Sequence, residues 1–392
     1  MSSATPASPF RDFDGWLDIQ LYPEKHVIST RTKADEIWQF LKSYSVVKSR
    51  GNELMTAYLV PNDKKRVTIE RFSSFITQAE NYWRGTDKLS FKSSPLLYYY
   101  SFLNLVKAYL VLVDPDLPDR IKHGLSWQGT SKSLTKLKLS VGQTDNNVFA
   151  RYHKKVFSGN GLPISVNLIE LFSYLPANSL EFEESKLGDT KVHPVKCRMM
   201  VNKRASKYWA AFAIPKGSFL KHHYRSFPLL KTKFEFCDIP ENTSALEKIK
   251  TAFNVPAAEW ASYDFFQSND VNQKPMISGG FLIQIIVSEF NDLFGYYKAH
   301  INRTGSLYSQ YSSFLSLPYS PRSKLILNEE VSAYAVMFFM SELVRYRPDF
   351  LDNLFGDRLL WLFESYVNSY PVIFLNYISS RIMKTHIKIE TD

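Results

Sequence analysis

Three groups of residues have the types and spacing for chemistry. In the run Ser94 to Ser126, Asn104 and Lys107 interrupt an apolar and aromatic stretch, and Arg120, Lys122 and His123 follow directly before Gly124. An imidazole can move a proton near neutral pH, and Lys and Arg cations suit phosphate. A lysine on an apolar helix needs a partner or a cavity, because leaving it unpaired is costly. Glu342 or Asp349 as that partner makes Lys107 structural; a shared polar pocket with His123 makes it a ligand group. The second group is Arg345, Tyr346 and Arg347 in SELVRYRP. Arg beside Tyr can grip phosphate while a ring stacks on a base, and the same cations equally complement the dipole at a helix C-terminus. The third is Lys221, His222, His223, Tyr224 and Arg225, a basic, aromatic loop patch whose tandem His pair lacks metal-ligand spacing.

Absent motifs narrow the chemistry. GxGxxG, GxxxxGK[ST], GxSxG and HExxH do not occur, so dinucleotide, P-loop, hydrolase-elbow and zincin readings lose support, and neither cofactor nor metal is expected. Gly279-Gly280 reads as a turn, and the adjacent acids Glu183-Glu184 and Glu329-Glu330 read as solvated faces. Net charge is +10, spread without a Lys/Arg block, which favours polyanionic partners, nucleic acid among them. The two cysteines, Cys197 and Cys237, lie outside any ligand spacing and suggest a reducing compartment. The N-terminus lacks a secretory pattern, and Asn104 and Lys107 at mid-helix argue against a membrane span. A cytoplasmic protein is expected.

The elements that must position these groups follow from periodicity. Pro95 to Val113 reads as a helix buried on most sides, with a polar stripe at Ser101, Asn104 and Lys107, started by Pro95 and ended by Asp114, Pro115, Asp116 and Pro118. An amphipathic helix over about 67–83 precedes it and forms a hairpin with it. Strands are expected near 134–141, 192–201, 206–214, 227–236 and 281–287, and helices near 165–175 and 245–253. Glu329 to Arg345 is nearly as apolar as the central helix, and two further helices are expected, about 349–370 and 371–385, separated at Pro371. The fold class is α+β: N- and C-terminal helices in one bundle, with a mixed, strand-rich region between. The expected parts are a loose segment 1–30, helical parts 31–126 and 326–392, and a mixed region 127–325.

PLLYYYSFLNLVKAYLVLVDPDLP followed by KHGLS, with IELFSYLPA and then MFFMSELVRYRPDFLDNLF, resembles the YaaC-like proteins across most of the chain. The resemblance implies little about function. Tyr98, Tyr99 or Tyr100 in a helix, followed after a turn by Lys122, His123 and Gly124, is similar to the pattern of HEPN-type helical domains. Such domains commonly bind or cleave RNA and are frequent in toxin and antiphage systems. Their ribonucleases use an Arg, then a His a few residues on: the His moves a proton at the ribose 2′-hydroxyl and the Arg steadies the phosphate. Arg381 and His386 have that spacing, which chance supplies about once in a chain of this composition, and the bland alternative is a solvated helix end. What the resemblance implies is an RNA-associated protein of a prokaryotic defence or stress system, binding or cleaving RNA without a metal, with RNA favoured over DNA and an operon-encoded protein as a further partner. The rival is a non-catalytic scaffold binding another protein; convergence of His123, Lys107 and Arg345 separates the two.

Overall fold

The computed structural model describes residues 8–18, 24–28, 33–128, 136–144, 146–156, 163–216, 232–238, 243–255, 262–269, 271–273, 301–303, 313–316, 327–348 and 357–389. The helices among them are α1 (Lys33–Val46), α2 (Lys48–Ala57), α3 (Lys65–Arg84), α4 (Ser94–Val113), α5 (Val148–Val156), α6 (Leu168–Phe172), α7 (Ser179–Glu184), α8 (Thr243–Phe253), α9 (Glu329–Tyr346) and α10 (Asp357–Met383). The strands are β1 (Ser8–Pro9), β2 (Gly15–Asp18), β3 (Glu24–Ile28), β4 (Leu125–Gln128), β5 (Lys138–Val141), β6 (Ser165–Asn167), β7 (Val192–Asn202), β8 (Lys207–Pro215), β9 (Phe234–Asp238), β10 (Tyr263–Ser268), β11 (Asn272–Gln273), β12 (Ile301–Arg303), β13 (Ser313–Ser316) and β14 (His386–Ile389). The class is α+β, and the chain divides into two compact units.

The helical unit comprises Tyr22–Lys191, Thr304–Ser309 and Leu327–Asp392. Pro95 sits in the first turn of α4, where its missing N–H costs nothing. The helix ends at Asp114, whose N–H still reaches the Leu110 carbonyl, before Pro115 prevents continuation. Arg71 of α3 then holds the turn: its guanidinium donates to the carbonyls of Leu117 at 2.6 Å and Pro115 at 3.5 Å and pairs with Asp119 at 3.3 Å. The two ends of the unit's sequence meet on α4. Phe102 stacks on Phe374 of α10 with ring centres 4.0 Å apart, and Tyr99 meets Phe338 of α9 edge-on at 5.2 Å. The N- and C-terminal helices therefore form one bundle. By length and composition α4 is also able to cross a membrane, but 61% of it is buried inside the protein.

Two features of this unit differ from the sequence expectation. α10 runs unbroken through Pro371, because Tyr370, Ile373 and Phe374 are fully buried on either side of it and packing outweighs one lost N–H. A three-stranded antiparallel sheet, β4-β5-β6, and helices α5 to α7 belong here too, so the middle segment of the strand-rich unit begins at Val192, where 127 was expected. β3 pairs with β14 in a two-stranded parallel sheet.

The strand-rich unit comprises Met1–Leu21, Val192–Arg303 and Gln310–Ile326. Its sheet runs β1-β9-β10-β8-β7-β13-β12, with β11 beside β8 and β2 beside β7. The β7–β8 hairpin pairs Lys196 with Ala213 through Asn202 with Lys207. Helix α8 lies on β7, where Arg198 donates to the Ala252 carbonyl at 2.7 Å, and its Phe253 joins Phe13, Met200, Trp209 and Phe265 in the core. Segment 1–30, expected to be loose, contributes three strands: β1 and β2 are zipped to this sheet, with Arg11 pairing Glu235 at 2.5 Å, and β3 to β14. Expected strand 281–287, Gly279-Gly280 and the patch Lys221–Arg225 lie outside the described residues.

Candidate functional site

On α4 the half-exposed residues are Leu96, Leu97, Tyr98, Tyr100, Leu103, Lys107 and Val113, and four of them, Leu96, Tyr100, Leu103 and Lys107, are spaced four, three and four. That alternation keeps to one line on a helix. Steps of three alone fall about 60° short of a full turn each, so the expected polar stripe drifts around the helix and only its last member is open. Ser101 is fully buried, and Asn104 is buried with its amide donating to the Tyr100 carbonyl at 2.8 Å. Beside the open line lie Phe75 and Tyr82 of α3. Lys107 Nζ stands 5.7 Å over the Phe75 ring, and the Tyr82 and Tyr100 rings stack at 5.2 Å. Among the described residues Lys107 has no carboxylate partner, and burial lowers its pKa. Glu342 pairs with Arg345 instead, at 3.5 Å; Asp349 lies outside the described residues.

His123 is set by the start of α5. The Val148 and Phe149 amides donate to the carbonyls of Lys122 and His123 at 2.8 and 3.1 Å, and Gly142 donates to Gly124 at 2.8 Å. Gly124 adopts φ +89, and a Cβ there would sit 2.1 Å from Asn147 Oδ1. Asn147 cannot step aside: it accepts from Ala150 and donates to Gly142 and Thr144. Gly124→Ala is therefore expected to cost about 2 kcal/mol, read by chemical denaturation, and to displace His123.

The His123 ring lies against Phe338 at 5.4 Å, and the Leu125 amide donates to its Nδ1 at 3.4 Å. Its pKa is lowered, first by partial removal from water, then by the positive charges of Arg345 and, more weakly, Lys107. The charges of Arg345 and Lys107 are therefore both felt at His123. Arg345, in the last turn of α9, stands 4.8 Å over the ring of exposed Tyr346. Arg347 caps that helix, its N–H on the Leu343 carbonyl. Arg120 and Lys122 are exposed and, among the described residues, have no carboxylate partner.

Arg381 stands elsewhere. Its Nε donates to both oxygens of Glu330 at 2.9 and 2.8 Å and its Nη2 pairs at 2.7 Å, while Tyr152 also donates to Glu330 and Tyr58 to the Arg381 carbonyl. Next to it, Glu329 accepts from Tyr370 at 3.1 Å and from Tyr377. Burial raises the Glu329 pKa to about 7. The pair Glu329-Glu330, expected on a solvated face, is thus buried at 1% and 3% exposure in the first turn of α9, where Asn328 caps the helix by accepting from Val331 at 2.8 Å. A signal was present: Tyr370, Tyr377 and Arg381 are seven and four apart, on one face of α10. His386 lies in β14 by its backbone; its side chain is outside the described residues, so no Arg381–His386 geometry is described.

Lys107 and His123, both with pKa values lowered first by burial, are groups with which an anion can pair. Comparison with the curated proteins found no match, and comparison with the solved structures found none. A family model described as YaaC-like Protein matches residues 39–382, from α1 to the end of α10. With that match spanning most of its length, the chain belongs to the YaaC-like family.

Proposed function

We propose that this YaaC-like protein binds RNA at Lys107 of α4, with His123 and Arg345 of α9 contributing to the same site. The observation behind the reading is Lys107: half-buried, on a nearly apolar helix, over the Phe75 ring, and without a carboxylate among the described residues, its charge and that of Arg345 each lowering the His123 pKa. A phosphate supplies the missing charge-assisted partner. Arg120 and Lys122 before the His123 turn, Arg345 to Arg347 at the end of α9, and a net charge of +10 add long-range attraction for a polyanion. The likeness of the tyrosine-rich helix and the Lys122-His123-Gly124 step to HEPN-type domains favours RNA over DNA. It also suggests a role in a cytoplasmic prokaryotic defence or stress response, with cleavage at the ribose 2′-hydroxyl as the reaction the neutral His123 suits.

Anisotropy with a labelled single-stranded RNA, in chelator and at about 50 and 200 mM salt, tests the reading. Lys107→Gln is expected to weaken binding about ten-fold and to flatten the salt slope by about 0.7. The integrity of the RNA, followed beside His123→Gln, reads cleavage. Wild-type protein that shows no salt-dependent binding defeats the proposal.

A further inference from the structure

Several tyrosine hydroxyls in the helical unit are tied down: Tyr58, Tyr152, Tyr366, Tyr370 and Tyr377 all donate to carboxylates or carbonyls. Tyr82 and Tyr100 are the contrast. Both are half-exposed, they stack on one another at 28° between planes, and among the described residues neither hydroxyl makes a hydrogen bond. Half-exposed aromatic rings with free polar ends suit a ligand that has both a flat face and a wet edge. The pair is in line with a cation: Tyr100 and Lys107 share the open line of α4, about 10 Å apart along the axis at 1.5 Å per residue. Leu103 lies between them, and Phe75 of α3 floors the Lys107 end.

Resting on the RNA reading above, we infer that Tyr82 and Tyr100 form a base-stacking subsite continuous with Lys107. The α3–α4 face takes an extended single strand, one unpaired base prolonging the tyrosine stack and a phosphate one or two nucleotides along the strand meeting the Lys107 ammonium. The rings require an unstacked base, which a duplex does not present, so the ligand is single-stranded. Stacking on a ring is tolerant of sequence because every base has a π-face. The contact therefore selects for an accessible base, whatever its identity.

The test compares two ligands of equal length and charge: labelled oligouridylate and the matching abasic ribose-phosphate oligomer. Wild type is expected to prefer the base-bearing strand by about ten-fold. Tyr82→Leu and Tyr100→Leu remove the preference and leave the salt slope unchanged, whereas the Phe variants keep it. Lys107→Gln weakens both ligands and flattens both slopes. Equal affinity of wild type for the two ligands overturns the stacking subsite while leaving RNA binding intact, and that comparison needs no variant to fold. Leu variants that retain the preference overturn it as well. If neither ligand binds, the RNA reading itself fails and this inference falls with it.

Discussion

Arg381→Ala is expected to lower the unfolding free energy of the helical unit by about 3–5 kcal/mol, because it strands the Glu330 carboxylate without its cation in a site closed to water. Glu330 is 3% exposed and takes three contacts from the guanidinium within 2.9 Å. Only the Tyr152 hydroxyl would remain on it. The loss corresponds to roughly a 10 °C fall in melting temperature for a unit of this size. Replacing both partners at once, Glu330→Leu with Arg381→Met, is expected to recover most of it, since two apolar groups need no compensation. If the single variant melts like wild type, the pair does not hold the bundle. RNA binding by the refolded double variant should be unchanged, as neither residue belongs to the Lys107 face.

Two buried groups are expected to tilt stability against pH in opposite directions across about pH 4 to 7, so that the wild-type profile is nearly flat there and each slope shows when the other group is removed. Glu329 has its pKa raised to about 7 by burial, so the folded state holds its proton more tightly than the unfolded state does. Its contribution is present below pH 4.5 and is lost as pH rises through 7. His153 is the mirror case: burial lowers its pKa to about 4, so the folded state resists the proton. Its contribution is present above pH 6.5 and is lost as pH falls through 4. At 1.36 kcal/mol per pH unit each contribution is on the order of 3 kcal/mol. Glu329→Gln should leave stability that rises with pH between about 4 and 6.5, and His153→Gln stability that falls between about 4.5 and 7, measured as denaturation midpoints across pH. A Glu329→Gln profile that overlays the wild type contradicts this assignment.

The bundle was legible where burial and local signals agree. The apolar run of α4, with a proline at its start and Asp-Pro at its end, cannot be stable on its own, and the equally apolar α9 is its natural complement. Other features were hidden because the deciding partner is remote in sequence. Pro371 reads as a break until the buried rings of Tyr370 and Phe374 hold the helix straight through it. Glu329 and Glu330 read as solvated until Arg381 and three tyrosines are brought to them. β1 and β2 are too short for any periodicity; their pairing with β9 and β7 is what orders them. The open line of α4 was missed for a simpler reason: residue polarity was taken as the guide to exposure, and two of the three polar positions are buried.

The parallel pairing of β3 with β14 sets a timetable for synthesis. Glu24 leaves the ribosome early, yet its partner His386 is made roughly 20–70 s later at about 5–20 residues per second. Through that interval the early strand has a bare edge, while the hairpin of β7 and β8 has its pairing partner within reach almost at once. The nascent helical bundle must therefore wait, greasy and incomplete, for its closing residues.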